Sequence, residues 1–189
     1  QETYYEKSSY TAEGINELKS EVEGYKWYLS EAKLNHKINV NCDIEGYCNI
    51  KIPGFDGDPC PGTPDIAKCF NYATRAIDHY HTIWANCNID VFQPIHGDFS
   101  LEGNILFNQS DVFIIDWEHF RFNTAPLGFD LLYMLFELIK MYSKNNQPAV
   151  EHISLVQDLV CYADSIGCLS SFYKNNYFLT YLAEQERIN

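Results

Sequence analysis

The stretch Pro94 to Phe120 reads PIHGDFSLEGNILFNQSDVFIIDWEHF. Three oxygen-bearing side chains, Asp98, Asn104 and Asp116, fall within it. The apolar run Val112-Phe113-Ile114-Ile115 predicts a strand that delivers Asp116 at its end. Asn104-Ile105-Leu106-Phe107 predicts a second strand that begins at the Asn, and Asn108-Gln109-Ser110 between them has turn composition. Antiparallel partners meet first residue to last, so the hairpin brings Asn104 and Asp116 to the same open end. Two oxygen ligands there, beside a loop Asp, make a place for a hard cation such as Mg²⁺.

His96-Gly97-Asp98, Asn104-Ile105-Leu106 and Ile115-Asp116-Trp117-Glu118, in that order, resemble the catalytic segment of the aminoglycoside phosphotransferase and choline kinase-like families. These are small-molecule relatives of the protein kinases. The resemblance implies an α+β, protein-kinase-like fold of two lobes, with a truncated small β lobe and a mainly helical C-terminal lobe. Residues 1–53 would form the partial first lobe of strand, helix and strands. Residues 54–189 would carry the catalytic loop and the metal-binding hairpin. The implied reaction moves the γ-phosphate of ATP, or of GTP, to a hydroxyl of an amino sugar, a choline-like alcohol or a sugar. By the kinase scheme, Asp98 is the catalytic base or orienting group, and Asn104 and Asp116 hold Mg²⁺. His96 packs beneath the loop, and Asp130 braces it from the following helix. The family's strand Lys, which contacts the α- and β-phosphates, corresponds to Lys7. Glu21 corresponds to the helix Glu that holds it, with Glu23 as the alternative. Glu118 is a further acid, for metal, substrate or water.

The chain departs from that pattern in two places. Phe99 to Gly103 make the loop one residue longer than the kinase spacing D-x-x-x-x-N. Gly103 is the expected place for a bulge at positive φ, which glycine tolerates. Only six residues precede Lys7, too few for the two strands and phosphate-covering loop that the family carries before it. The expectation is therefore either a front that lies outside this sequence or weak nucleotide binding. Gly54, Gly57 and Pro61-Gly62 come after the strands and read as an inter-lobe loop. Pro53 to Gly62 is the expected hinge, with the adenine ring against backbone within Lys51 to Phe55. A catalytically inactive kinase-like binding protein and a metal-dependent hydrolase stay open beside the kinase.

Composition narrows the partners. With 189 residues the chain supports one domain or two small lobes. A formal charge of −13 argues against nucleic acid, whose phosphates need a basic surface, and is compatible with a cationic acceptor. No apolar run approaches the ~20 residues of a membrane span; Leu131 to Ile139 is short and interrupted by Glu137. Seven cysteines, an odd number without a CxxC pair, predict free thiols in a reducing cytoplasm.

The flanking elements follow from periodicity. Thr11 or Ser9 caps a helix whose Ile15, Leu18, Val22, Tyr25 and Leu29 share one face. Strands are expected at 38–41 and 47–52. Thr63-Pro64 opens a long helix to about Ala85, with Ile66, Phe70, Ala73, Ile77, Tyr80 and Trp84 inward. On it His79 and His81 point about 200° apart, so they cannot share a cation. Helices follow at 131–142, at 149–166 (ended by Gly167), and from Ser170 to about Glu186. The last two are expected to wall the substrate pocket.

Overall fold

A cap and a strand register set the first layer. In the computed structural model, which describes residues 3–42, 46–61, 66–84, 92–144 and 149–174, strand β1 (Tyr4–Ser9) leads into helix α1 (Ala12–Glu31). Thr11 caps the helix, its hydroxyl accepting from Gly14 N at 3.1 Å. Strands β2 (Asn39–Cys42) and β3 (Cys48–Pro53) complete an antiparallel sheet in the order β1-β3-β2. Cys42 and Cys48 face each other in its register and are joined by a disulfide. That corrects the expectation of seven free thiols. Cys60, Cys69, Cys161 and Cys168 carry no disulfide, and Cys87 lies outside the described residues.

The described part of the stretch expected as a hinge bonds to its neighbours on both sides. Gly54 N donates to Thr3 O at 2.8 Å, and Cys60 N to Leu101 O at 2.8 Å. Between them a two-residue strand, β4 (Asp58–Pro59), pairs with β6 (Ile105–Phe107). The hairpin partner β7 (Val112–Ile114) makes the order β4-β6-β7. Helix α2 (Ile66–Trp84) buries Ala73, Ile77, Tyr80 and Trp84 as periodicity predicts. Phe70 is on the exposed side and Cys69 takes the inward position, because the buried stripe also draws in Ala76 and Ile83. The Thr63-Pro64 opening lies outside the described residues.

Strand β5 (Gln93–Ile95) pairs with β8 (Arg121–Ala125), which follows a single 3₁₀ turn, Trp117–His119. Helices α3 (Phe129–Lys144) and α4 (Ala149–Ser165) pack on each other, and α4 packs also on α2. Gly167, at φ 80°, ends α4 as expected. Helix α5 (Ser171–Lys174) stands where the last helix is expected to start, and the rest of that expected span lies outside the described residues. The chain is thus a mixed α+β protein, with three small antiparallel sheets among the described residues. One contiguous core joins residues of both expected lobes, from Leu18 to Leu169.

Trp117 is the keystone of that core. It is fully buried, stacks on Tyr28 with ring centroids 5.3 Å apart, and meets the edge of His96 at 4.6 Å. Its indole N–H donates to Ile114 O at 3.1 Å. Helix α1 comes close enough to the 3₁₀ turn that a Cβ on Gly24 would lie 2.6 Å from the Trp117 Cβ. A mid-helix glycine costs roughly 0.5–1 kcal/mol against alanine; here the close approach requires it. This approach carries the Glu21 side of α1 to the end of β7.

Candidate active site at the open end of the hairpin

The hairpin forms as the spacing predicts. Ile105 pairs with Ile114, and Ile115 N donates to Asn104 O at 2.9 Å, so Asn104 and Asp116 leave the same end. Asn108 closes the other end, its Oδ1 accepting from Ser110 N and Asp111 N at 3.0 and 2.7 Å. Two tyrosines of α1 hold β7 from behind. Tyr28 OH accepts from Ile114 N and Tyr25 OH from Asp116 N, both at 3.2 Å. Asp116 itself has φ 63° and ψ 63°, the left-handed region that Asp enters more readily than most residues. The turn ends the strand and sends the carboxylate toward β1.

There it meets Lys7. The ammonium lies 2.5 Å from Asp116 Oδ1, 2.9 Å from Glu21 Oε2 and 4.0 Å from Glu118 Oε2. Glu21, and not the exposed Glu23, is therefore the helix partner. Burial lowers the Lys7 pKa, but the bonds to Asp116 and Glu21 outweigh it and hold the ammonium above its ordinary range. Burial holds the Glu21 carboxyl above its usual value against the pull of Lys7. Glu21, Asp116 and Glu118 each place one oxygen within 4.8 Å of the others. Three carboxylates around one ammonium, if all are ionised, leave two negative charges in excess. Such an oxygen-rich cluster could hold a further cation.

The second group of predicted residues is built on the loop. Asp98 accepts from Asn104 Nδ2 at 2.9 Å through Oδ2, and its backbone carbonyl accepts from the same nitrogen at 2.9 Å. The longer loop does not turn Asn104 away. Gly103 does not supply the expected positive φ; among the described residues of this loop only Gly97 has it, at 88°. The extra residue is absorbed by a tight turn in which Asn104 N and Ile105 N both donate to Ser100 O, at 3.0 and 3.1 Å. Gly97 has no room for a side chain either, since a Cβ would sit 2.8 Å from His119 O.

His96 and Asp130 fasten the loop from beneath. His96 is fully buried, and burial pulls its pKa down to about 4, so the ring is neutral. Nδ1 accepts from Asp98 N at 3.2 Å, which puts the proton on Nε2, where it is donated to Ile115 O at 2.8 Å. One imidazole thus ties the loop to the strand that ends in Asp116. Asp130, in the first turn of α3, accepts from His96 N and Gly97 N at 2.9 and 3.0 Å. Burial pushes its carboxyl up to about 6, against the pull of those two amides.

Tyr133 was not legible as a site residue. Its hydroxyl donates to Asp98 Oδ1 at 2.9 Å. Desolvation first, then the Asp98 carboxylate, push the phenol up to about 12. A turn of helix separates it from Asp130, the residue that braces the loop, and that i, i+3 spacing was the available signal.

His79 packs and His81 is exposed, as the helix geometry requires. His79 Nε2 lies 3.1 Å from Tyr28 OH. Burial pulls its pKa down to about 4. As pH falls, the unfolded chain takes this proton first, near 6.5, and the folded chain only near 4. Stability contributed by the neutral ring is present above pH 6.5 and is lost between the two values, by about 3 kcal/mol. In urea titrations from pH 7 to pH 4, the variant His79→Gln is expected to lose that much less stability than the parent; parallel profiles would exclude His79 as the titrating group.

The seven predicted residues therefore fall in two adjoining groups. Lys7, Glu21 and Asp116 form one, joined by Glu118; Asp98, Asn104, His96 and Asp130 form the other, joined by Tyr133. Ile115 bridges them through its N–H to Asn104 and its carbonyl to His96. No helix among the described residues is long and apolar enough to cross a membrane. No protein-family model, curated protein or solved structure matches the chain.

Proposed function

We propose that the protein is a small-molecule phosphotransferase of the aminoglycoside phosphotransferase and choline kinase-like type. It would move the γ-phosphate of ATP or GTP to a hydroxyl of an amino sugar, choline-like alcohol or sugar. The single observation that carries the reading is the convergence of Lys7, Glu21 and Asp116 from three separate elements at the hairpin end that also presents Asn104. The element order of strand, helix, strands, connector, helix, loop and hairpin supports a kinase-like two-lobe arrangement.

The donor set fits a hard divalent cation with its nucleotide. It is all oxygen, carries excess negative charge and already holds an ammonium suited to phosphate. Asp116, with the Asn104 side-chain carbonyl, would hold Mg²⁺. Glu118 stands ready as a further acid. When bound, Mg²⁺ supplies neutralisation of triphosphate charge. Lys7 contacts the phosphates while Glu21 fixes its position. Asp98 orients the acceptor hydroxyl and takes its proton. Asn104 and Tyr133 each occupy one Asp98 oxygen, and each oxygen keeps a further lone pair for that hydroxyl. Positioning and electrostatics supply the rate.

The inactive-binder reading keeps the same cluster without turnover. A hydrolase would leave the Lys7 and Glu21 pair without a role. The test is transfer of labelled γ-phosphate from ATP and GTP, with Mg²⁺, to a panel of amino sugars, choline-like alcohols and neutral sugars. Label is expected in at least one organic product. Nucleotide binding without any transfer would favour the inactive binder, and release of label only as inorganic phosphate would favour the hydrolase.

A further inference from the structure

The turn end of the hairpin, opposite the end that carries Asn104 and Asp116, closes one side of a cleft of about 440 Å³. That volume lies within the range of small-molecule sites. Its floor is apolar: Leu34 after α1, Ile83 of α2, and Val112 and Phe113 of β7. Phe113 is held rigid by stacking on Phe55, with ring centroids 4.6 Å apart.

The polar groups around this floor divide into committed and uncommitted ones. Arg75 Nη2 donates to the carbonyls of Asn108 and Asp111, at 2.8 and 3.1 Å. Thr82 donates to Asp78 O at 3.0 Å, and Ser110 to Asp111 Oδ2 at 2.6 Å. Those donor atoms are therefore committed, and the Arg75 guanidinium lies over the Phe107 ring, 5.4 Å from its centroid. Asp78 accepts from the Tyr162 hydroxyl through Oδ1. Among the described residues no ammonium or guanidinium is in ion-pair range of the Asp78 or Asp111 carboxylate.

His79 adds one donor. Tyr28 OH accepts from Ile114 N, and His79 Nε2 is the acceptor within reach of its own proton among the described residues, which assigns that proton to His79 Nε2. The neutral ring then carries its proton on Nδ1. That N–H has no protein acceptor among the described residues, and His79 lines the cleft.

We propose that this cleft is a binding site for a small organic cation: a primary or secondary ammonium drawn by Asp78 and Asp111, on an aromatic body over Val112 and Phe113, with an ether or carbonyl oxygen accepting from His79. An anion would face two carboxylates against the single guanidinium of Arg75, whose Nη2 is held by two backbone carbonyls. A purely apolar ligand would leave the two carboxylates without a counter-charge and the imidazole N–H without an acceptor. The His79, Tyr28, Ile114 chain of hydrogen bonds connects the cleft to the strand that ends in Asp116, so occupancy is read at the Ile114 amide. The proposal does not depend on phosphotransfer, and its test uses neither nucleotide nor metal.

The probe is 2-phenoxyethylamine, titrated into the 189-residue chain and followed by backbone amide and histidine-ring nitrogen spectra. Saturable shifts are expected at Val112, Phe113, Ile114 and the His79 ring. Phenoxyacetate and 2-phenoxyethanol, of matched size, are expected to bind at least tenfold more weakly. Asp111→Asn is expected to weaken the amine severalfold, and Thr82→Trp, which fills the cleft from an exposed position, to abolish the shifts. Equal binding of the acid or the alcohol, shifts confined to other residues, no saturable shifts at all, or an Asp111→Asn variant with unchanged affinity would each overturn the proposal.

Discussion

Asp98→Asn is expected to lower γ-phosphate transfer about a thousandfold while leaving nucleotide affinity within a fewfold of the parent. A positioned general base contributes about 10²–10⁴ in rate. The substitution keeps the shape of the side chain and removes its charge. It also removes one acceptor. Asn104 Nδ2 and Tyr133 OH both donate to Asp98, one to each oxygen, and an amide at 98 can accept only one of them through its single oxygen. The structural cost of that lost bond is about 1 kcal/mol, too small to unfold the chain. Transfer rates with saturating Mg²⁺·ATP, beside urea unfolding of the same preparation, separate the two effects. A variant that keeps its rate within tenfold would remove Asp98 from the chemistry.

The largest structural effect is expected at Asp130. Its two oxygens are the acceptors for His96 N and Gly97 N; Asp130 and His96 are fully buried and Gly97 is half-buried. Asp130→Leu leaves the buried His96 amide and the half-buried Gly97 amide without this acceptor, at about 1–3 kcal/mol each. The sum, about 2–6 kcal/mol, is a large fraction of a domain's stability. The midpoint of thermal unfolding is expected to fall by roughly 10 °C. Asp130→Asn keeps one acceptor and is expected to cost about half as much. Because Gly97 adjoins Asp98, both variants should also lose transfer beyond their loss of folded protein. A Leu variant as stable as the parent would reduce Asp130 to an ordinary acid in the first turn of α3.

What could be read from the residues is what is local in the chain. The hairpin, its turn and the shared end of Asn104 and Asp116 follow from two apolar runs of matching length. The Lys7 and Glu21 pair needed more than spacing, since a strand lysine and a helix glutamate are common. Only the downstream segment singled them out, and their meeting depends on Gly24 letting α1 reach Trp117. The contacts missed are long-range ones between ordinary residues. Nothing local marks Tyr25 and Tyr28 as acceptors for β7, or Tyr133 as a donor to Asp98. The pairing of Asp58-Pro59 with the hairpin was hidden because a two-residue strand has no period to detect. Cys42 and Cys48 escaped for a similar reason, because their encounter depends on the register of β2 on β3. The loop offered Gly103 as the residue to absorb the extra length, but the backbone solved it with a turn closed on Ser100 O.

The cluster at the hairpin end also explains why one side chain should matter to metal and nucleotide together. Asp116 is at once the nearest anion to Lys7 and one of three carboxylates within 4.8 Å of one another. Calorimetric titration of ATP into the parent and into Asp116→Ala, each with and without Mg²⁺, addresses the site most directly. ATP is expected to bind the parent only when Mg²⁺ is present, and Asp116→Ala to weaken that binding by more than about tenfold, since partners outside the first coordination shell alone command 10–100-fold. Equal affinity in the presence of Mg²⁺ for the two proteins, or binding by the parent that is indifferent to Mg²⁺, would contradict the assignment.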